Sequence, residues 1–388
     1  MEVSWKSLML RKCSDRSSLT SRGIGYAVRR IFGAGAIAAS AALPMVSGPA
    51  AAAEMPLKAK PIEAGGGFYV WLDGSWDRVA LPAYRLGPGY NVGGGGSYGG
   101  QILQLNSDVD GYNISGGIGY RLPGNWPGSN ARIEIGGLFV DAKGSGNQVT
   151  SYTTPGFGAT QQLLDGRLTS SFGCVGICTA TTSLATGYQN WQLNLKFATD
   201  YKVGAITLTP SVAVFGGEAR NSQSYALRDN NGFKPILNEF YSANTRLKWN
   251  DVGVRAGLDT KAPLTGWLSV GLGGWVGVAG RRTDFTGTDH EFFVNSLGQV
   301  QPTITSAATA FDRTTALVGN VEGNIYVQPM SSVTLRLFGG LNYDSAVPGI
   351  RAPSFTGDFN FAAPTVAAGI DHSNATSYYA GGGLKVGF

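Results

Sequence analysis

From Tyr378 every second residue is apolar or small, reading Tyr378, Ala380, Gly382, Leu384, Val386, Phe388. The interleaved positions read Tyr379, Gly381, Gly383, Lys385, Gly387. A period of two predicts a β-strand with one greasy and one small or polar face. Aromatics close the greasy face at both ends, ten residues apart. At about 3.3 Å per residue and a tilt of about 40°, that is roughly 25 Å, the height of the apolar band of an outer-membrane barrel. The segment therefore reads as a strand with lipid on one side and an enclosed polar interior on the other.

Nine earlier segments repeat the pattern: 68–76, 112–121, 132–139, 191–201, 204–217, 247–258, 267–278, 317–327 and 333–344. In 191–201, Trp191, Leu193, Leu195, Phe197 and Tyr201 alternate with Gln192, Asn194 and Lys196. Pro210 lacks a ladder donor, which predicts a bulge in the fifth strand. In 247–258 the apolar positions change from odd (Leu247, Trp249) to even (Val252, Val254, Leu258), which predicts a bulge near Asp251. In 267–278 the pattern leaves open whether Trp267 and Trp275 or the even-numbered aliphatics meet lipid.

The connections alternate in length. Long ones cover 79–108, 143–186, 218–244, 282–311 and 345–373, and short ones 123–129, 201–203, 259–265 and 328–331. Short turns on one side and long loops on the other are the outer-membrane arrangement, with the long loops outside the cell. The expected fold is all-β: a closed antiparallel up-and-down transmembrane β-barrel of about ten strands, with eight or twelve as alternatives. A soluble β-sandwich also alternates, but it needs no aromatic rim. An open sheet in lipid would leave its edge groups without partners.

The N-terminus changes how charge is read. Seven Lys/Arg and two acids fall in residues 1–53, and the rest of the chain holds 23 of each sign. The formal charge of +5 thus belongs to the leader and gives no argument for nucleic-acid binding. Arg29-Arg30, an uncharged stretch and Ala51-Ala52-Ala53 read as a signal peptide over 1–53, followed by a periplasmic linker over 54–66 and the barrel over 67–388. Beyond the leader no run of 18 apolar residues predicts a transmembrane helix. The 58 glycines, many inside strands, suit a sheet that curls tightly. Cys174 and Cys178 are candidates for a small looped disulfide; no histidine lies near them to complete a metal site.

Several features resemble the outer-membrane β-barrel proteins of alphaproteobacteria, the porin-like and opacity-type families. They are the alanine-rich leader, the start Ala53-Glu54-Met55-Pro56-Leu57-Lys58-Ala59, the Gly-aromatic strands and the closing Leu384-Lys385-Val386-Gly387-Phe388. That resemblance implies location in a Gram-negative outer membrane after export by a cleaved signal, with membrane lipid and lipopolysaccharide as surroundings. It also implies that Leu384, Val386 and Phe388 form the signal read by the barrel-assembly machinery. Oligomeric state stays open.

The inward positions carry the candidate functional group: Arg121, Arg132, Glu134, Lys196, Arg255, Glu322, Arg336 and Lys385. One reading is a mildly basic pore for small hydrophilic solutes, biased towards anions by six Arg/Lys against two Glu. The other is a set of ion pairs that fills a narrow barrel, since about eight strands leave a lumen that side chains fill. Chemistry finds less support. Both histidines follow an aspartate, Asp289-His290 and Asp371-His372, in expected outer loops. Omptin proteases are ten-stranded barrels with an Asp-His pair at the rim, but there one residue separates the two. Adjacent residues on an extended chain point apart. The expectation is a porin-like envelope barrel that is not an enzyme and holds no cofactor or metal. The alternatives are a surface binding protein using long loops, or an omptin-like hydrolase.

Overall fold

The alternation becomes ten antiparallel strands whose ladder returns to its start. A computed structural model describes residues 67–85, 89–92, 97–101, 105–124, 126–153, 159–160, 163–167, 177–230, 238–294, 297–300, 303–355 and 365–388. The barrel strands are β1 Phe68–Val79, β2 Val109–Arg121, β3 Ser129–Thr153, β4 Ile177–Val203 and β5 Ile206–Asn230. They continue with β6 Asn238–Pro263, β7 Leu268–Val294, β8 Ile304–Met330, β9 Val333–Arg351 and β10 Gly369–Gly387. Each strand pairs with its sequence neighbours, and β10 pairs back onto β1, from Tyr69 opposite Gly387 to Arg78 opposite Tyr378. Within the band, closure leaves no edge and satisfies the backbone without water, which a bilayer requires. The leader, the linker and Cys174 lie outside the described residues; Cys178 sits on β4 opposite Tyr152.

Outward aliphatics form one continuous belt: Leu72 is 62% exposed, Ile135 63% and Val252 73%. Water would not tolerate an apolar surface of that extent, and acyl chains cover it. Exposed aromatics bound the belt, with Trp76, Tyr112, Phe139, Trp191 and Tyr378 on one rim. Phe68, Tyr201, Trp267 and Phe388 mark the other. The chain is a transmembrane β-barrel. In β7 the even positions such as Val276 and Val278 face lipid, Trp275 packs inward, and Trp267 lies exposed at the turn.

The structure corrects the expected loops. Residues 143–153 and 177–186, and most of 218–244 and 282–311, are not loop but the continuation of β3 to β8, each 25 to 27 residues long. An apolar band needs only about ten residues, so these strands carry the wall roughly 35 Å beyond it. β1, β2, β9 and β10 are shorter, at 12, 13, 19 and 19 residues. The wall is therefore tall along β3–β8.

The bulges expected at Pro210 and Asp251 are also corrected. Pro210 stands opposite Leu258, and Asp251 opposite Arg281, in ladders that run through without a shift. In β6 the backbone keeps its phase while the surroundings exchange. Within the band, Val252 and Val254 face lipid outside; above it, Leu247 and Trp249 are buried inside at 1% and 4% exposure. Once the outer face meets water, the apolar residues belong in the lumen. Register shifts do occur elsewhere, at Ser129/Arg132, Val327/Met330 and Asp344/Val347.

Candidate functional site

The lumen is the candidate site, and it is organised in levels. At band level, the eight charged residues expected to point inward do so, and they engage one another and nearby rings. Arg132 pairs with Glu134 at 3.1 Å and with Asp200 at 2.8 Å. Lys196 reaches the other oxygen of Glu134 at 3.5 Å and Asp259 at 3.8 Å. The Tyr69 hydroxyl donates to Glu134 at 2.6 Å. The Lys385 ammonium lies 3.8 Å and the Arg121 guanidinium 5.7 Å from the centre of the Tyr69 ring. Across the barrel, Arg336 pairs with Glu322 at 2.9 Å and Asp73 at 3.6 Å, and the Tyr379 hydroxyl donates to Glu322 at 2.9 Å. Arg255 lies over the Trp275 and Phe215 rings, at 4.8 and 5.8 Å.

Sequence reasoning gathered the cations and missed several of their partners. Asp73 shares the inward phase of Tyr69 on β1, while Asp200 and Asp259 sit near strand ends beside turns. With those three carboxylates, the excess of positive charge expected to favour anions largely disappears.

The inner-face glycines do not open the lumen. A Cβ at Gly119 would fall 2.1 Å from the Tyr69 ring. One at Gly117 would lie 2.5 Å from Trp71, and one at Gly136 3.0 Å from the same ring. The space these glycines release is filled by aromatic rings lying against the wall.

Above the charged level sits a clasp that the sequence did not single out. Arg281, with a side chain 2% exposed, donates to both oxygens of Asp251 (2.8 and 2.7 Å). It also donates to both oxygens of Asp344 (3.1 and 2.7 Å) and to the carbonyl of Ala346 at 2.6 Å. Such bidentate geometry is the strong form of the guanidinium–carboxylate pair. It links the adjacent β6 and β7 to β9, reaching across the inner face of the intervening β8.

Higher still the lumen is an apolar core. Leu184, Tyr225, Tyr241, Leu247 and Phe285 from the wall meet Tyr84, Leu105, Leu163 and Leu164 from connecting segments. Asp289, fully buried, holds the segment 163–167 in place. Its carboxylate accepts from the Leu164 amide at 2.8 Å, the Tyr241 hydroxyl at 3.0 Å and the Ser306 amide at 3.0 Å, and from the Ser306 hydroxyl. The Leu164 carbonyl in turn accepts from the Ala368 amide at 2.7 Å. Burial holds the Tyr84 hydroxyl well above its ordinary pKa, so it stays neutral within this core.

The histidines are corrected as well. His290 lies within β7 and His372 within β10, not in loops. Asp289 is buried inside and His290 exposed outside, pointing apart as adjacent strand residues must. The His372 Nδ1 lies 3.6 Å from Asp312, across the intervening β9.

No protein-family model matches the chain, and no curated protein does. Solved structures do resemble it. The outer membrane protease OmpT of Escherichia coli shares 13% identity at a TM-score of 0.37, covering 83% of this chain and 96% of that one. An outer membrane channel from Pseudomonas putida F1 shares 9% identity at a TM-score of 0.28, covering 86% and 100%. An anion-selective porin from Comamonas acidovorans shares 10% at a TM-score of 0.18, covering 84% and 99%. These TM-scores are low, and the barrel itself stands on the chain's own closed ladder. The expectation that the chain is not an enzyme is withdrawn, because a protease stands among the similar barrels beside channels.

Proposed function

We propose that the chain is an outer-membrane barrel with a closed lumen that presents its tall wall outside the cell as a binding surface. The observation that carries this reading is the seat of residues 163–167 on Asp289, within an apolar core packed against the inner face of the projecting wall. A porin-like role in passive diffusion of small hydrophilic solutes requires a continuous water path. Leu163 and Leu164 stand across that path above Arg281 and its two aspartates. Outward positions of the wall are hydroxyl- and amide-rich, with Ser222, Ser224, Asn244, Thr286 and Thr288 along β5–β7, as suits contact with a hydrated partner. The proposal keeps export by the N-terminal leader and recognition of Leu384, Val386 and Phe388 by the barrel-assembly machinery. Leu384 is exposed on the lipid face, and Phe388 is exposed beside β1, its amide bonded to the Phe68 carbonyl at 2.9 Å.

Single-channel recording on refolded protein in a planar bilayer tests closure. The folded protein is expected to be silent, and a variant lacking residues 163–167 to give conductance steps. Steady steps from the unaltered protein, shifting when Arg132 or Arg336 becomes alanine, would establish the pore and overturn the closed-barrel reading.

A further inference from the structure

On the outside of the wall, just above the apolar belt, four cations stand on four adjacent strands. They are Arg220 on β5, Lys248 on β6, Arg282 on β7 and Arg313 on β8. Each lies four to six residues beyond the last aliphatic of its own strand: Val214, Val252, Val278 and Leu317. That offset puts them at headgroup height. Arg220 and Lys248 share Glu218, at 2.6 and 2.9 Å. Arg282 and Arg313 are different. They stand opposite each other in the ladder, on the same exposed face, with the Phe311 ring 4.8 and 5.4 Å from their guanidinium carbons. Asp284 approaches Arg282 only to 3.8 Å. Like charges directly opposite on a sheet destabilise it unless something neutralises them.

Beginning four to six residues nearer the short turns, the outward apolar face holds a shallow, open groove of about 600 Å³ across β3–β7, bordered by Ile133, Phe197, Val212, Val254 and Val278. Three strands, β5, β6 and β7, carry both the groove and the cations above it. We propose that this face binds a phosphorylated glycolipid of the lipid A type, with acyl chains in the groove and phosphates against the cations. The four strands spread the positive charge over about 14 Å. That is wider than one phosphate needs and suits two phosphates held apart on a disaccharide. The inference goes beyond a closed lumen and does not depend on one. It rests on the projecting wall facing the outer leaflet, the side opposite the short turns.

Refolded protein in neutral detergent micelles is titrated with bisphosphorylated lipid A, its dephosphorylated form and phosphatidylglycerol, and binding is read by native mass spectrometry. The unaltered protein is expected to prefer the bisphosphorylated lipid over both others by tenfold or more. The double variant Arg282→Gln, Arg313→Gln should lose that preference while keeping the gel mobility of the folded barrel. Equal affinity for the dephosphorylated lipid or for phosphatidylglycerol would overturn the proposal, as would an undiminished double variant. The comparison of lipids on unaltered protein stands even if the variant does not fold. Conductance is read separately, so failure here is distinguishable from failure of the closed-barrel reading.

Discussion

Asp289→Ala isolates what holds the apolar seat of 163–167. Leu163 and Leu164 are 1% and 0% exposed, and burying each contributes about 1.5–3 kcal/mol. Asp289 adds a charge-assisted bond to the Leu164 amide at 2.8 Å, worth about 1.5–3 kcal/mol. Its bonds to Ser306 and Tyr241 orient the carboxylate whether or not the segment is seated. Only the Leu164 bond is therefore lost from docking. At about 1.4 kcal/mol per factor of ten, the docked-to-undocked ratio should fall roughly 10- to 100-fold, with the leucines still favouring the seat. Hydrogen exchange reads this at the Ala368 amide, which is bonded to the Leu164 carbonyl and untouched by the substitution. Its protection should drop by one to two decades, while that of mid-band pairs such as Val214 and Val254 stays the same. Unchanged protection at Ala368, or an equal loss in the band, would refute the argument.

Two further substitutions probe other levels of the barrel. Arg281→Met leaves Asp251 and Asp344 facing each other without their shared cation, and should lower stability by about 3–5 kcal/mol in denaturant unfolding from liposomes. Adding Asp251→Asn and Asp344→Asn should restore most of it; no recovery would mean the clasp is not the cause. Val254→Arg puts a charge on the lipid face near mid-band and should cost about 2–4 kcal/mol in the same assay. A loss below about 0.5 kcal/mol would be what an aqueous surface gives, and would argue against lipid on that face.

The ten strands and the lipid face were legible because the signal is local. Trp191, Leu193, Leu195 and Phe197 alternate with Gln192, Asn194 and Lys196, and no distant residue is needed to see which face each takes. The same alternation set the eight charged residues apart from the lipid-facing positions. Their partners were not legible: Arg132 finds Asp200, 68 positions away, and Arg281 finds Asp344, 63 away. Such pairs follow from ring closure and register, which single strands do not encode. Asp289 gave no signal beyond its neighbour His290, since its value lies in a segment more than a hundred residues upstream.

The phase change at Asp251 marks the boundary between the two kinds of information. Backbone geometry makes side chains alternate, so the sequence alone determined that Trp249 and Val254 occupy opposite faces of one strand. Which face is greasy depends on the medium outside and on what fills the lumen. Both are set by how far the strand rises above the bilayer and which segments pack inside it. Only the closed tertiary structure decided that, because it alone fixes strand height and lumen contents together.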